Sequence, residues 1–365
     1  MQKMKIIISG GGTGGHIFPA LAIANALKFK LKDVDILFVG AKGKMEMKKI
    51  PNAGYNIIGL WISGFHRRAF DFRNLLFPIK LFISLFKSYF LIKKFKPNVI
   101  VGTGGFASGP LLYVGAKLNV PALIQEQNSY PGVTNKLLSK IVQKICVAYE
   151  DMERFFKKEK ILLLGNPIRQ DILLNNLNKN IFEFFNLRKD KKTVLFIGGS
   201  LGALTINESA AEFLKINDSN TQILWQTGES YFLKAKAKSK NYNNVKVLPF
   251  IKEMNFAYSV ADIIVSRAGA STISELCLIG KPVILVPSPN VAEDHQTKNA
   301  TFLVNKNAAM MINDNEAKKV MPIMLQKLLN DTLTQIKLAK NIKKLAIYDS
   351  ASNIADEIIK LAHKK

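Results

Sequence analysis

At 365 residues the chain is long enough for two domains, each with a sizeable core. A hydrophobic share of 48% against 22% charged residues excludes a disordered chain. The net charge of +25 leaves four accounts: nucleic acid, an anionic membrane surface, an anionic substrate, or a Lys-rich proteome bias with no partner behind it. No RRM, KH or helix-turn-helix signature stands out, so a nucleic-acid partner is not expected. The two cysteines, Cys146 and Cys277, lie in apolar settings without metal-type spacing, as buried free thiols of a reducing compartment do. The first five residues run into only three isoleucines before glycines, too short an apolar stretch for a signal peptide.

Residues 5–9 predict a strand, followed by the loop Gly10-Gly11-Gly12-Thr13-Gly14-Gly15-His16 and a helix to about residue 29; residues 35–39 are the second strand. This is the first βα unit of a doubly wound sheet. Gly10, Gly12 and Gly15 match G-x-G-x-x-G, but the second strand ends in Gly40 without the acidic residue that a dinucleotide site wants there. A P-loop is excluded because His16 follows Gly15. Asp33 and Asp35 form a literal D-x-D at the wrong end of their strand for a metal site, and no metal or other cofactor is expected.

Residues 74–92 are the most apolar stretch, with Leu75, Ile79, Phe82, Ile83, Phe86 and Phe90 on one helical face and Leu81, Leu85 and Leu91 on others. Arg67, Arg68, Arg73, Lys80, Lys87, Lys93, Lys94 and Lys96 surround it. Two internal lysines, at about 3 kcal/mol each at a bilayer centre, argue against a spanning helix. Two readings remain open: interfacial contact with anionic lipid through Leu75, Ile79, Leu81, Phe82, Leu85 and Phe86, or a buried domain helix with a basic rim. Further strands at 98–101 and 121–124 end in Gly102-Thr103-Gly104-Gly105-Phe106 and in Gln125-Glu126-Gln127-Asn128, so three Gly- or amide-rich loops gather at strand carboxyl ends, where open α/β sheets bind ligands.

A strand at 161–164 closes this half, and Gly165-Asn166-Pro167-Ile168-Arg169 reads as the connection. The strand at 193–197 then opens onto Gly198-Gly199-Ser200-Leu201-Gly202, repeating the strand–glycine-turn–helix start roughly 190 residues on. Strands at 223–225, 245–248, 263–265 and 283–286 alternate with helices, and the tail beyond Asp331 is helical. The expected class is therefore α/β, two Rossmann-like doubly wound parallel-sheet domains facing across a cleft. The domains are 1–165 and 166–348, with a helix at about 349–365 packing back on the first. The strand at 263–265 leads into Ser266-Arg267-Ala268-Gly269-Ala270-Ser271-Thr272-Ile273-Ser274-Glu275. That places a helix N-terminus, with its free N–H groups and positive dipole end, at a strand end. Glu275, one turn in, suits a ribose diol; the alternative is a plain capped helix with an ordinary first-turn carboxylate.

Taken together, GlyGlyThrGlyGlyHis at 11–16, GlyThrGlyGlyPhe at 102–106, GluGlnAsn at 126–128, GlyAsnProIleArg at 165–169, GlyGlySerLeuGlyAla at 198–203, SerArgAlaGlyAlaSerThrIleSerGlu at 266–275 and Gln296 resemble, in order, the MurG family of bacterial cell-wall glycosyltransferases. The resemblance implies the GT-B architecture. It also implies inverting transfer of N-acetylglucosamine from UDP-N-acetylglucosamine to undecaprenyl-pyrophosphoryl-MurNAc-pentapeptide (lipid I), at the cytoplasmic face of the inner membrane as a peripheral protein. It places the diphosphate at Ser200, Ala270, Ser271 and Thr272, the ribose at Glu275, the uracil by Ile251, and the donor sugar at Asn128 and Gln296. Arg169 and the loop residues Thr13, Gly14 and Gly15 join the donor set. Gly104, Gly105 and Phe106 contact the acceptor, and His16 faces it as candidate base, a structural histidine being the alternative. The family often has Gln where His295 stands and Tyr where Phe106 stands. The alternatives in function are a related UDP-sugar transferase acting on another lipid, and a non-catalytic basic protein bound to membrane or nucleic acid.

Overall fold

Three consecutive isoleucines, Ile6, Ile7 and Ile8, are fully buried, which a strand permits only when helices cover both of its faces. Ile7 enters one apolar layer with Val39, Ile100 and Ile124, and its neighbours enter the opposite layer with Phe38, Val101 and Leu123. The computed structural model describes residues 3–64, 75–168, 172 and 180–363. They form two units, Met1–Ile168 with Tyr348–Lys365, and Arg169–Ile347.

The first unit holds seven strands: β1 (Met4–Gly10), β2 (Val34–Ala41), β3 (Asn56–Leu60), β4 (Val99–Gly104), β5 (Ala122–Glu126), β6 (Lys144–Val147) and β7 (Ile161–Leu163). They are parallel, in the order β3-β2-β1-β4-β5-β6-β7. The second unit holds β8 (Lys192–Ile197), β9 (Thr221–Gln226), β10 (Val245–Leu248), β11 (Ile263–Ser266), β12 (Val283–Leu285) and β13 (Met310–Met311), parallel in the order β10-β9-β8-β11-β12-β13. The α/β class of two doubly wound parallel sheets is as the sequence predicts. In each sheet the winding reverses once, between β1 and β4 and between β8 and β11. Strands β3, β6 and β13 were not anticipated. Each is short or interrupted by glycine or lysine, and its pairing with a longer neighbour selects the extended state.

The tail is two helices, Thr332–Lys344 and Ser350–Ala362; Asp349, at φ 55°, turns the chain between them. Ile354, Ala355 and Ile358 of the second pack in one layer with Ile17, Ala20, Ile23 and Ala24 of the helix Gly14–Lys30, and Lys30 pairs with Asp356 at 2.9 Å.

The apolar stretch forms the helix Phe77–Phe95. Its inner stripe is Ser84, Ser88 and Ile92, flanked by Leu81, Leu85 and Leu91 against the core. The small serines let the helix approach closely: Ser84 donates to the Trp61 carbonyl at 3.1 Å. Leu81 and Leu85 therefore leave the lipid-facing set, because positions 81, 85, 88 and 92 share one side of the helix. Leu75, Ile79, Phe82, Ile83, Phe86 and Phe90 stay exposed. Arg67, Arg68 and Arg73 lie outside the described residues. Among those described, no helix is long and apolar enough to cross a membrane.

Candidate functional site

In the first unit the site grows from the reversal point. The β1–β4 register slips at its end: Ser9 pairs with Gly102, but Gly10 pairs with Gly104. The extra residue, Thr103, donates its hydroxyl to the His16 carbonyl at 2.9 Å, and a Cβ on Gly10 would fall 1.9 Å from that hydroxyl oxygen. Gly104 and Gly105, at φ 99° and 82°, bring the second loop against the first. A Cβ on Gly105 would lie 2.3 Å from the Gly11 carbonyl oxygen, and one on Gly104 would lie 3.0 Å from His16 Nε2. The Phe106 ring covers Gly12 and Gly64. So His16, Gly104, Gly105 and Phe106 form one cluster, with Thr13, Gly14 and Gly15 in the turn that opens the helix Gly14–Lys30.

His16 Nδ1 lies 2.9 Å from the Gly11 carbonyl oxygen. A carbonyl only accepts, so Nδ1 carries the proton of the neutral ring and the lone pair sits on Nε2. Beneath this loop is a residue the sequence reading missed. Glu46 is fully buried and accepts from Gly12 N–H at 2.9 Å and from Ala41 N–H at 3.0 Å.

At the end of β5, the buried Glu126 accepts from Asn128 N–H at 3.0 Å, Asn128 Nδ2 at 3.2 Å, Gly132 N–H at 3.2 Å and Asn135 Nδ2 at 2.8 Å. Burial pushes this carboxyl above the usual range, against the pull of those donors. Glu126 thereby orients Asn128. Gln127 donates to the Thr103 carbonyl at 2.7 Å, and Asn166 donates to the Gln127 carbonyl at 3.0 Å, so the connection motif braces the same strand ends. Arg169 lies outside the described residues.

In the second unit the same logic holds at β8 and β11. Ser200 is exposed in the loop after β8. Gly202 and Gly228 allow two loops to touch: a Cβ on Gly202 would lie 2.0 Å from the Thr227 carbonyl oxygen. Gln226 donates to the Gly199 carbonyl at 3.0 Å and accepts from Ile251 N–H at 2.9 Å, joining the glycine loop to the segment expected beside the base. The Ile251 side chain is itself buried. After β11, the helix Ala270–Ile279 starts at the extended residue Gly269, with Ala270, Ser271 and Thr272 half-buried in its first turn. Tyr258 donates to Glu275 Oε2 at 2.9 Å and aims the carboxylate. Gln296 Oε1 accepts from Ser288 N–H at 2.9 Å and Ala268 N–H at 3.3 Å, which fixes the orientation of its amide. Arg267, inside the motif, donates to the Val286 carbonyl at 3.0 Å and pairs with Asp314, which gives it a scaffold role. His295 opens the helix His295–Asn305, after Glu293 and Asp294 in left-handed backbone.

Of the expected set, Thr13 to His16, Gly104 to Phe106 and Asn128 fall in the first unit, and Ser200, Ile251, Ala270 to Thr272, Glu275 and Gln296 in the second. Tyr258, Gln226, Glu46 and Asn135 carried no sequence signal, because their bonds depend on where separate segments meet, and Thr103, although inside the 102–106 motif, gave no sign of its bond to the His16 carbonyl. Among the described residues no group of three His, Cys, Asp or Glu side chains is placed to hold a metal ion.

Two doubly wound parallel sheets, each with glycine loops at its reversal point, are the architecture of the GT-B glycosyltransferases. The profiles of the glycosyltransferase family 28 N-terminal and C-terminal domains match residues 6–147 and 193–358. The UDP-N-acetylglucosamine--N-acetylmuramyl-(pentapeptide) pyrophosphoryl-undecaprenol N-acetylglucosamine transferase of Flavobacterium psychrophilum is 51% identical over 367 residues, covering 100% of both chains. The enzyme of that name from Parabacteroides distasonis is 54% identical over 374 residues, again with 100% of each covered. The crystal structure of Acinetobacter baumannii MurG superposes with a TM-score of 0.82 at 27% identity, covering 98% of this chain and 99% of that one. The chain belongs to glycosyltransferase family 28, in its MurG branch.

Proposed function

We propose that the protein moves N-acetylglucosamine from UDP-N-acetylglucosamine to undecaprenyl-pyrophosphoryl-MurNAc-pentapeptide, a step of peptidoglycan synthesis. The observation that carries this reading is the helix Ala270–Ile279, whose N-terminus opens at the β8/β11 reversal point with Glu275 aimed by Tyr258 one turn in. Phosphate first and diol second suits a nucleotide diphosphate. The acceptor hydroxyl oxygen attacks the anomeric carbon while the bond to the UDP oxygen breaks, and its electron pair leaves on the diphosphate. The helix N-terminus and the Ser200, Ser271 and Thr272 hydroxyls stabilise that charge. The hydroxyl proton passes to His16 Nε2, and the sugar configuration inverts. The family resemblance assigns Asn128, Gln296, Arg169 and the Thr13–Gly15 turn to the donor, and Gly104, Gly105 and Phe106 to the acceptor.

The acceptor is a lipid, and the exposed face of Phe77–Phe95 supplies the contact with the cytoplasmic surface of the membrane. The exposure of Phe82, at 71%, and of Phe86, at 60%, supports that reading. The test is transfer of labelled N-acetylglucosamine to a lipid-pyrophosphate-MurNAc acceptor in vesicles. Product with the stereochemistry of inversion supports the reading. UDP-sugar hydrolysis alone, or transfer only to other lipids, overturns it.

A further inference from the structure

We propose that Glu46 is a positioning residue for the transfer step, holding the Gly11–Gly12 peptide so that its carbonyl keeps the His16 proton on Nδ1. The inference rests on the reading of His16 as the base.

Gly12 N–H and the Gly11 carbonyl are the two ends of one peptide group. Glu46 Oε2 takes the N–H end at 2.9 Å, and His16 Nδ1 meets the carbonyl end at 2.9 Å. Carboxylate, peptide and imidazole thus stand in a line. The peptide is the soft link, since it joins two glycines and Gly12 sits at φ 86°. No Cβ resists rotation of its plane. A flipped peptide would point its oxygen at Glu46 and its N–H at His16 Nδ1. The imidazole proton would then move to Nε2, where the base needs its lone pair. A buried carboxylate facing a carbonyl oxygen would lose a donor and meet repulsion, so Glu46 opposes the flip. Its charge also polarises the peptide and strengthens the Gly11 carbonyl as acceptor.

The surroundings are cut to this carboxylate. A Cβ on Gly11 would lie 2.1 Å from Glu46 Oε1, and one on Gly40 would lie 2.5 Å from its Cγ. The second oxygen is held by Ala41 N–H, at the end of β2, so the side chain has little freedom to follow a flipped loop.

The test is 15N-histidine NMR on the whole chain, at a pH where the ring is neutral, with the His16 signals assigned by their loss in His16→Ala. The wild-type ring should be protonated on Nδ1. Glu46→Gln keeps the size but must turn its NH2 toward one of the two N–H groups. In that variant an Nε2–H fraction should appear. Its kcat should fall on the order of tenfold to a hundredfold, short of the ~10²–10⁴ expected for outright loss of a base. KM for UDP-N-acetylglucosamine should stay within about twofold, since the change falls on the transition state and not on donor binding. If Glu46→Gln does not fold, Glu46→Asp draws the charge back from Gly12 and should show the same tautomer change in milder form. A wild-type ring protonated on Nε2, or an unshifted tautomer in a folded variant, overturns the role of Glu46 and leaves the base question to the turnover of His16→Ala. A shifted tautomer with unchanged kcat overturns the proposal from the other side, because His16 is then not the base.

Discussion

The Glu275 carboxylate, proposed for the ribose diol, takes its aim from Tyr258, 17 positions away in sequence. Glu275→Ala should weaken UDP-sugar binding by about 1.5–3 kcal/mol, the worth of charge-assisted hydrogen bonds, with the melting temperature little changed. Tyr258→Phe removes only the aiming bond and should raise the donor Kd several-fold, less than Glu275→Ala does. Titration calorimetry with both variants separates the effects; equal losses would mean that Tyr258 touches the ligand itself. His16→Ala should lower turnover by roughly 10²–10⁴ while leaving the UDP Kd near wild type. Near-normal turnover at saturating substrates would return His16 to the structural role that its bond to Gly11 also allows.

At the scale of elements, the helix Phe77–Phe95 carries two apolar faces and cations that do not all look outward. Lys80 donates to Ser63 at 3.3 Å and lies over the Trp61 ring, and Lys87 donates to the Gly59 carbonyl at 2.8 Å. Burial, then Lys42, pulls the Lys87 ammonium below the usual lysine range. These two lysines are turned toward β3, whereas Lys93, Lys94 and Lys96 near the C-terminal end of the helix are exposed and are the cations proposed to meet headgroups. Each such cation is worth about 1 kcal/mol at an anionic surface and is screened by salt, while apolar insertion is not. High salt should therefore release the protein from anionic vesicles only in part. Phe82→Ser with Phe86→Ser should abolish the salt-resistant fraction while UDP binding persists. Co-sedimentation measures this, and a wild-type protein left in the supernatant at low salt would end the docking idea.

At the scale of the molecule, each unit carries one buried thiol. Burial pushes Cys277 up to about 12, and burial followed by the nearby Glu357 pushes Cys146 up as well. A raised thiol pKa lowers the reactive thiolate at every pH below it, so at pH 8 only roughly 10⁻⁴ of Cys277 is thiolate. Native protein should resist alkylation at pH 8, and labelling should proceed through opening of each unit. UDP at about 100 times its Kd stabilises what it binds by about 2.7 kcal/mol. It should slow Cys277 labelling far more than Cys146 labelling, as peptide mapping of the alkylated chain would read. Equal protection would mean that the units open together or that UDP is not held by the second one.

Local order determined much of this protein. Apolar runs leading into glycine-containing turns set strands β1, β4, β8 and β11 and the loops that follow them, because a parallel strand covered on both faces must be apolar and a tight strand-to-helix turn needs small residues. Those features identified the α/β class, and the ordered motifs pointed to the family, to His16, to Glu275 and to the helix start at Ala270. Which side chains aim them was decided only by tertiary structure. Glu46 reaches Gly12 across 34 positions, Gln226 reaches Ile251 across 25, and Leu81 and Leu85 turn inward because the serine stripe beside them lets their helix pack close. A hydrogen-bond partner or a buried face is a property of where two remote segments meet, and periodicity along one segment carries no record of that meeting.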